Sequence, residues 1–304
     1  MTSSLLPLTS YLHAERAVLV RMGDDLLDAQ QDLLGRLAKL AARNGGVGAQ
    51  VRKAQLSQIN AALQKTLDSL WKELGEEIIV GGQEVADVAS STQAVYDRIL
   101  FSSAGMTMPE QLVRAEQSYA RNVVEHYWSR TQNDISLSKQ VYKTEAMSKQ
   151  WVDRAIHRVL LQGGSWKDLA DAVKPFINPN TPGGVSYAAK RLGRTELNNA
   201  FHQTAIRLGE QNPWVTGQRW NLSGSHGRKD ECDVLASKTV SRKLGRGVYP
   251  DDAVPRKPHP QCLCYLTPQT VSEEEFFDRL LAGDYEDAME GRSLASASAA
   301  LRVA

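Results

Sequence analysis

The apolar residues in the first two hundred positions recur every three or four residues, which is the spacing of one face of an α-helix. The first such stripe ends at the glycines of residues 43–46, and a second, from Val51 to Ile78, ends at Gly81 and Gly82. Each helix would be about 30 residues, or about 45 Å, long. A short glycine turn between them predicts an antiparallel hairpin. The first stripe consists of Val18, Met22, Leu26, Ala29, Leu33, Leu37 and Leu40.

The pattern predicts four more helices and then a change of structure after Pro213. Residues 214–222 are aromatic and partly β-branched and residues 261–267 alternate, which predicts two strands. A capping sequence at 270–273 predicts a last helix, and residues 178–184 form a predicted loop. The fold is therefore expected to be mainly α, a long helical N-terminal region followed by a small α+β module. The four intermediate helices are expected at residues 107–131, 137–161, 165–173 and 185–209.

These elements group into four successive segments, of which the last two differ in charge. Residues 219–257 carry nine Lys/Arg against five Asp/Glu, whereas residues 271–304 carry three against eight. Solvated surfaces are the ordinary reason for both. The segments are a helical hairpin arm (1–106), a helical region that leads into the module (107–212), a small α+β module with the cysteines and histidines (213–270), and an acidic helix with a flexible tail (271–304).

Composition narrows the class of protein further. The chain of 304 residues is 42% hydrophobic and 23% charged with a formal net charge of +1, as in an ordinary soluble protein. No apolar run reaches the ~18 residues of a membrane span, and the first residues lack the features of a signal peptide. HExxH, GxSxG, P-loop and GxGxxG motifs are absent, so neither an enzyme nor a small-molecule substrate is expected. Three cysteines fit a reducing compartment better than a disulfide scaffold.

Two of the three cysteines, Cys262 and Cys264, are separated by one residue. On a strand their side chains would share a face, so both sulfurs could reach one ion. His259 precedes them at a bend between two prolines, and Cys232 lies thirty residues upstream. These four residues supply the four N and S ligands of a tetrahedral zinc site, with His226 as the substitute for His259. A structural Zn²⁺ would stabilise a module that has few core residues.

Two alternatives to a metal site stay open for the cysteines. They could pack as small apolar residues, because free cysteine is among the most buried residue types. Cys232 could also form a disulfide with one of the pair. A thiol- or metal-dependent hydrolase or transferase is the alternative function, in which Asp230 or Glu231 would serve as a base.

Four stretches occur in a characteristic order: GRTELNNAF, GQRW, HGRKDECDVL and PHPQCLCYLTP, between about Gly163 and Pro268. This set resembles the phage Mu F-like head morphogenesis proteins, also called minor head or minor capsid proteins, and its last stretch is similar to the family's closing HP-x-C-x-C signature. The long helical N-terminal region is compatible with that family. The positions that match are Arg194, Thr195, Glu196, Trp220, Asp230, Cys232, His259, Cys262 and Cys264.

The resemblance implies a bacteriophage virion component that is assembled in the host cytoplasm. Members of the family associate with the portal in few copies and act in head assembly and DNA packaging. The expected partners are therefore portal, scaffold or major capsid protein, and packaged DNA. The basic loop with Arg242, Lys243 and Arg246 is the candidate DNA contact, since clustered Lys and Arg bind phosphates without reading sequence. The second alternative is a free-standing nucleic-acid-binding protein that is stabilised by zinc. The net charge of +1 argues against it, because such proteins are usually strongly basic.

Overall fold

The structure is a computed structural model, which describes residues 6–129, 137–180, 184–224, 226–227 and 229–303. The predicted fold class is confirmed, because helices dominate and one small antiparallel sheet lies near the C-terminal end. The helices are α1 (Leu6–Arg43), α2 (Leu56–Ser103), α3 (Glu110–Ser129), α4 (Leu137–Leu161), α5 (Trp166–Ile177), α6 (Gly184–Gln211), α7 (Glu231–Ser237), α8 (Glu273–Leu281), α9 (Glu286–Met289) and α10 (Arg292–Val303). The strands are β1 (Val215–Asn221), β2 (Val248–Tyr249) and β3 (Tyr265–Thr270).

The chain divides into two compact units, and the divisions fall inside α1, α2 and α6. These units differ from the four successive segments expected from the sequence, because each of the three helices contributes to both. The first unit comprises Met1–Glu15, Val80–Arg130 and Thr195–Ala304, and the second comprises Arg16–Ile79 and Thr131–Arg194. In the part of the chain that the structure describes, no helix is both long and apolar enough to cross a membrane.

The second unit buries the apolar stripes that the sequence predicts for α1 and α2. Val18, Met22 and Leu26 are fully buried, as are Leu67 and Leu70. The first helix ends where predicted, since Gly45 and Gly46 take positive φ values of 96° and 93° that suit glycine. The side chain of Ser165 accepts a hydrogen bond from the N–H of Asp168, which forms a capping box at the start of α5. The predicted loop at 178–184 lies partly outside the described residues.

The predicted end of the second helix at Gly81 and Gly82 is wrong, because α2 continues to Ser103. Gly82 instead allows a close contact in the first unit. A Cβ at this position would lie 1.7 Å from a ring carbon of Trp128 on α3. A glycine inside a helix costs about 1 kcal/mol relative to alanine, but here it provides the space for an indole ring. The sequence pattern cannot distinguish a glycine that ends a helix from one that makes room for a neighbour.

The first unit contains the sheet, in which β1 is central and pairs antiparallel with β2 and β3. An aromatic cluster lies beside the sheet, where Trp214 makes edge contacts with Phe101, Phe276 and Tyr285. The expected flexible tail forms α10 instead, whose Leu294 is buried. This helix packs on α3. Asn122 Nδ2 donates to Ser298 Oγ there, at 3.1 Å.

The second predicted strand is displaced along the chain. The sequence predicts it at 261–267, but β3 covers Tyr265–Thr270, so Cys262 and Cys264 lie in the loop before the strand. Gln261 has a positive φ of 59°, and this left-handed residue turns the chain away from the sheet ladder. Three short elements, α7, β2 and α9, are not predicted, because each is too short to show a period.

Candidate metal centre

The three cysteines come together in the core of the module as free thiols. Cys232 lies on the first turn of α7, while Cys262 and Cys264 lie in the loop before β3. All three are at most 3% exposed. The Sγ atoms of Cys232 and Cys262 are 3.5 Å apart. The predicted grouping is therefore present, although the loop rather than a strand brings Cys262 and Cys264 together.

Local hydrogen bonds fix the two segments that carry the sulfurs. Asp230 caps α7, and its Oδ1 accepts from the N–H of Cys232 at 2.7 Å. Asp233 Oδ2 accepts in turn from the N–H of Asp230 at 2.9 Å, which completes a capping box. On the other segment, the N–H of Gln261 donates to Thr195 Oγ1 on α6 at 3.2 Å. The left-handed turn before the CxC sequence is thus anchored to a helix.

Two histidines border the sulfurs, each with one ring nitrogen toward a cysteine. His259 Nε2 is 3.6 Å from Cys232 Sγ, and its Nδ1 is 3.1 Å from the carbonyl oxygen of Pro260. His226 Nδ1 is 3.9 Å from Cys264 Sγ, and its Nε2 is 2.8 Å from Asp233 Oδ2. A histidine that binds a metal usually donates its second N–H to a carboxylate or carbonyl. Both rings therefore have the hydrogen-bonding arrangement of a ligand.

The spacing of these atoms fits a tetrahedral ion. Zinc–sulfur bonds of about 2.3 Å and zinc–nitrogen bonds of about 2.0 Å place two sulfurs about 3.8 Å apart and a sulfur and a nitrogen about 3.5 Å apart. The observed separations are 3.5 Å between Cys232 and Cys262 and 3.6 Å between Cys232 and His259. These three residues form a largely buried group that could hold a metal ion. Cys264 is buried in the same core cluster but is not one of this group, whose ligand atoms all lie within 4.8 Å of one another.

The electrostatics of the cluster favour one thiolate even without a metal. The pKa of Cys262 is lowered to about 5, first by a hydrogen bond from Cys264 and then by the charge of Lys257. Burial raises the pKa of Cys232 to about 12, and the hydrogen bond to Cys262 raises the pKa of Cys264. Because thiolates are the form that binds metals, an ion at this position would displace the remaining protons.

A lysine without a signal in the sequence lies against the cluster. The Lys257 ammonium donates to the carbonyl oxygen of Cys264 and lies 5.3 Å from the centre of the Trp220 ring. Burial lowers its pKa to about 8, while the neighbouring cysteines, Cys262 first, favour the ammonium form. A zinc ion with three thiolates and a neutral histidine carries a net charge of −1, which this ammonium would balance. The residue spacing does not single out this lysine, since it lies before a proline in a charged stretch.

A cavity of about 280 Å³ opens beside the cluster. Its wall includes the two histidines as well as Asp230, whose Oδ2 is 3.2 Å from His259 Nε2. The exposed fraction of the His259 side chain is 39%, against 12% for His226. Of the two histidines, His259 is therefore the one that solvent or a small ligand reaches more easily. The cavity is lined by Ser223, His226, Gly227, Asp230, His259, Gln261, Leu263 and Cys264.

The remaining motif residues have different environments. Trp220 is buried against the cysteines, and its ring meets that of His202 at a centroid distance of 5.4 Å. Burial lowers the pKa of His202 to about 3, so this histidine is neutral and donates from Nε2 to the Pro255 carbonyl at 2.9 Å. Glu196 is buried beside Trp128, and burial raises its pKa to about 7. Arg194 is half-buried and falls in the second unit.

The predicted DNA-contact residues lie on the surface of the module. Arg242, Lys243 and Arg246 are exposed. Arg246 Nε donates to the carbonyl oxygen of Ser237 at 3.1 Å, which holds this side chain along α7. Arg219 on β1 joins them, because its guanidinium donates to the Arg246 carbonyl at 3.2 Å. The structure thus brings a fourth basic side chain to the predicted group.

Comparison with known proteins does not identify a family for this chain. A scan against protein-family models, a search of curated proteins and a search of solved structures gave no match. The interpretation of the site therefore depends on its own geometry and on the motifs described above.

Proposed function

We propose that the chain is a phage minor head protein that works by binding, through contacts with portal, scaffold or major capsid protein during head assembly and DNA packaging. The observation that supports this most is the contact between the motif stretches. The Arg194-Thr195-Glu196 stretch and the PHPQCLCYLTP stretch are more than sixty residues apart, yet Gln261 donates to Thr195 Oγ1. Thr195 and Gln261, from two motifs that are related only by their order in the sequence, thus meet within the first unit.

The experiment that tests this role uses particles from the host that encodes the chain. Induced phage heads are purified, and their proteins are quantified by mass spectrometry. We expect a few copies of this chain per head, and cross-linking should connect it to portal, scaffold or major capsid protein. Its absence from both mature heads and assembly intermediates would overturn the proposal.

The metal in this proposal is one structural Zn²⁺, held by Cys232, His259, Cys262 and Cys264, with His226 as the substitute histidine. The soft sulfur donors favour zinc among the common divalent metals. Elemental analysis of reduced, purified protein should find one zinc per chain, and the Cys264→Ser variant should lose it together with thermal stability. If the purified protein contains no metal and the variant is as stable as the parent, these cysteines serve only as packing residues.

Contact with packaged DNA is the part of the proposal that concerns Arg242, Lys243 and Arg246. Phosphate contacts by exposed basic side chains weaken steeply with salt and are insensitive to base sequence. We expect weak binding of duplex DNA at low salt, with a smaller salt slope in the triple alanine variant. Equal slopes for both proteins would exclude DNA as a partner of this loop.

The cavity beside the cluster favours a second candidate, a metal-dependent hydrolase. If His259 left the ion, an open coordination position would face a space that also contains Asp230 and the His226–Asp233 pair, which could take a proton from a bound water. Cobalt-substituted protein distinguishes the two functions. A visible spectrum that shifts on addition of azide indicates an open position, whereas an unchanged tetrahedral spectrum indicates a closed structural site.

A further inference from the structure

Away from the metal centre, the first unit buries two carboxyl groups next to each other. Asp97 on α2 is fully buried and Glu116 on α3 is 1% exposed. Their side chains are hydrogen-bonded to each other. Two carboxylates cannot form such a bond without a proton between them, and two neighbouring buried negative charges would repel strongly.

The remaining contacts show which oxygens are left for that proton. Asp97 Oδ1 accepts from Gln93 Nε2 at 2.8 Å and from Trp214 Nε1 at 2.7 Å. Glu116 Oε1 accepts from Asn212 Nδ2 at 3.1 Å. The other oxygens, Asp97 Oδ2 and Glu116 Oε2, are buried and receive no N–H donor among the described residues. Asp97 accepts two N–H bonds and Glu116 one, so Asp97 is better placed to hold the charge and Glu116 to hold the proton.

Two of the three donors come from one short segment that connects α6 to the sheet. Asn212 follows the last residue of α6, and Trp214 precedes β1 and lies at the centre of the aromatic cluster with Phe101, Phe276 and Tyr285. The carboxyl pair therefore holds the entry to the sheet against α2 and α3. We propose that Asp97 and Glu116 share one proton, which acts as a latch by holding the segment 212–214 against α2 and α3. Loss of this proton at alkaline pH releases the segment.

The charges that face the pair agree with this assignment. In the described part of the chain, the charged group that acts on both carboxyls is Arg98 on α2, and its effect is smaller than that of burial. Burial raises the pKa of Glu116 well above its usual range, and Asp97 raises it further. Tyr285 is a titratable residue whose ring contacts Trp214. Burial raises the pKa of this tyrosine above its usual value of 10.0. Near neutral pH, neither Arg98 nor Tyr285 can therefore neutralise the second carboxyl charge in place of the shared proton.

The sign of the pH effect follows from proton counting. In the opened state both carboxyls would ionise with ordinary pKa values, whereas the closed state keeps one proton. The opening equilibrium of the segment should therefore increase about tenfold per pH unit until the closed pair itself ionises. Burial raises the pKa of Asp251 to about 6 and that of Glu196 to about 7, so the window from about pH 7.5 to about pH 9 separates the pair from these two groups.

Amide hydrogen exchange of the full chain, corrected for the intrinsic effect of pH, measures this opening at residues 212–215. Residues near Trp220 are left out, because the Lys257 ammonium beside that ring has a pKa lowered to about 8 by burial. In Glu116→Gln the amide replaces the acid O–H as donor to Asp97, so opening should become independent of pH in this window. Glu110→Gln makes the same substitution on an exposed residue of α3 and should keep the tenfold slope of the parent.

Two outcomes would overturn the latch: a parent protein whose corrected opening is flat with pH, or a Glu116→Gln variant that keeps the slope. If the variant does not fold, carboxyl-carbon NMR of the parent still decides, because it reports the ionisation of Glu116 directly. Titration of Glu116 near its ordinary pKa would contradict the shared proton.

Discussion

The long helices and the Cys/His module build their cores by different means. The α1 and α2 stripes bury aliphatic residues at every helical turn, such as Leu26, Leu67 and Leu70. Among the described residues, the core cluster of the module contains seven that are buried, of which three are cysteines. A periodic apolar face supplies its own stability through burial, whereas so small a core generally needs a cross-link or a metal. The comparison predicts that the two regions respond to different perturbations.

The largest effect is expected when the metal site is destroyed. Cys232→Ser, or removal of metal by a chelator, should abolish amide protection across 213–270 and leave α2 protected over residues 56–79. Structural zinc contributes about 10–16 kcal/mol in small zinc-binding peptides, which exceeds the stability of most domains. Hydrogen exchange measured by mass spectrometry reports both regions at once.

A variant of the exposed Asp252 in the same module is the control for this experiment. Asp252→Asn should leave zinc content and protection unchanged. If Cys232→Ser kept the protection of the parent at 213–270, the module would have a self-sufficient core and the contrast with the helices would disappear.

A core truncation in α2 should have the next largest effect and should act only through packing. Leu70 is completely buried, so Leu70→Ala is expected to lower the free energy of unfolding by about 2–5 kcal/mol. Zinc content should not change. The exposed Lys72 provides the matched control, since Lys72→Ala should stay within about 0.5 kcal/mol of the parent. A loss of zinc in Leu70→Ala would show that the two regions share one core.

Two glycines inside long helices should respond to alanine with opposite signs. In Gly82→Ala the new methyl group would meet the Trp128 ring at 1.7 Å, and such overpacking costs about 1–3 kcal/mol. A Cβ at Gly35 would meet nothing within 4 Å, so Gly35→Ala should stabilise the protein by up to about 1 kcal/mol through helix propensity. Thermal unfolding of both variants tests the pair. A stabilised Gly82→Ala protein would mean that the Trp128 ring moves aside at little cost.

The sequence predicts the helices better than the module because helical periodicity repeats over many turns. The bounds of α4 at Leu137 and Leu161 are as predicted, and the end of α1 at Arg43 is as well. Gly81 and Gly82 misled the prediction for α2, because a glycine required for contact with Trp128 has the same sequence signal as a helix stop. Packing against a residue more than forty positions away is not visible in a local pattern.

The candidate site shows the same limit. The residue types and spacing of Cys232, His259, Cys262 and Cys264 predict a metal site. The structure brings three of them, Cys232, His259 and Cys262, into a group that could hold an ion. The aspartate that orients His226 and the lysine beside the thiols were missed. Asp233 had a weak signal, as the third residue after the capping Asp230, but Lys257 had none because its role depends on where the loop folds back.

The smallest expected effect tests how the part of α6 in the first unit holds the irregular loop of the module. Thr195 on α6 accepts the Gln261 N–H that precedes the CxC loop. Thr195→Val keeps the shape of the side chain and removes the acceptor, which should cost about 1 kcal/mol, because a partly buried N–H is left unpaired. Since this hydrogen bond positions a ligand loop, we expect the loss to weaken zinc binding about fivefold, measured by competition with a chromogenic chelator.

Thr204, also on α6, separates this effect from a general loss of helix stability. Its Oγ1 donates to the Ala200 carbonyl at 2.9 Å, within the helix itself rather than toward the loop. Thr204→Val should therefore change stability by a similar small amount and leave zinc affinity as in the parent. If both variants weakened zinc binding equally, the loop would depend on the helix as a whole. If neither did, the CxC loop would keep its geometry without the Thr195 contact, and the irregular core of the module would depend less on α6 than this hydrogen bond indicates.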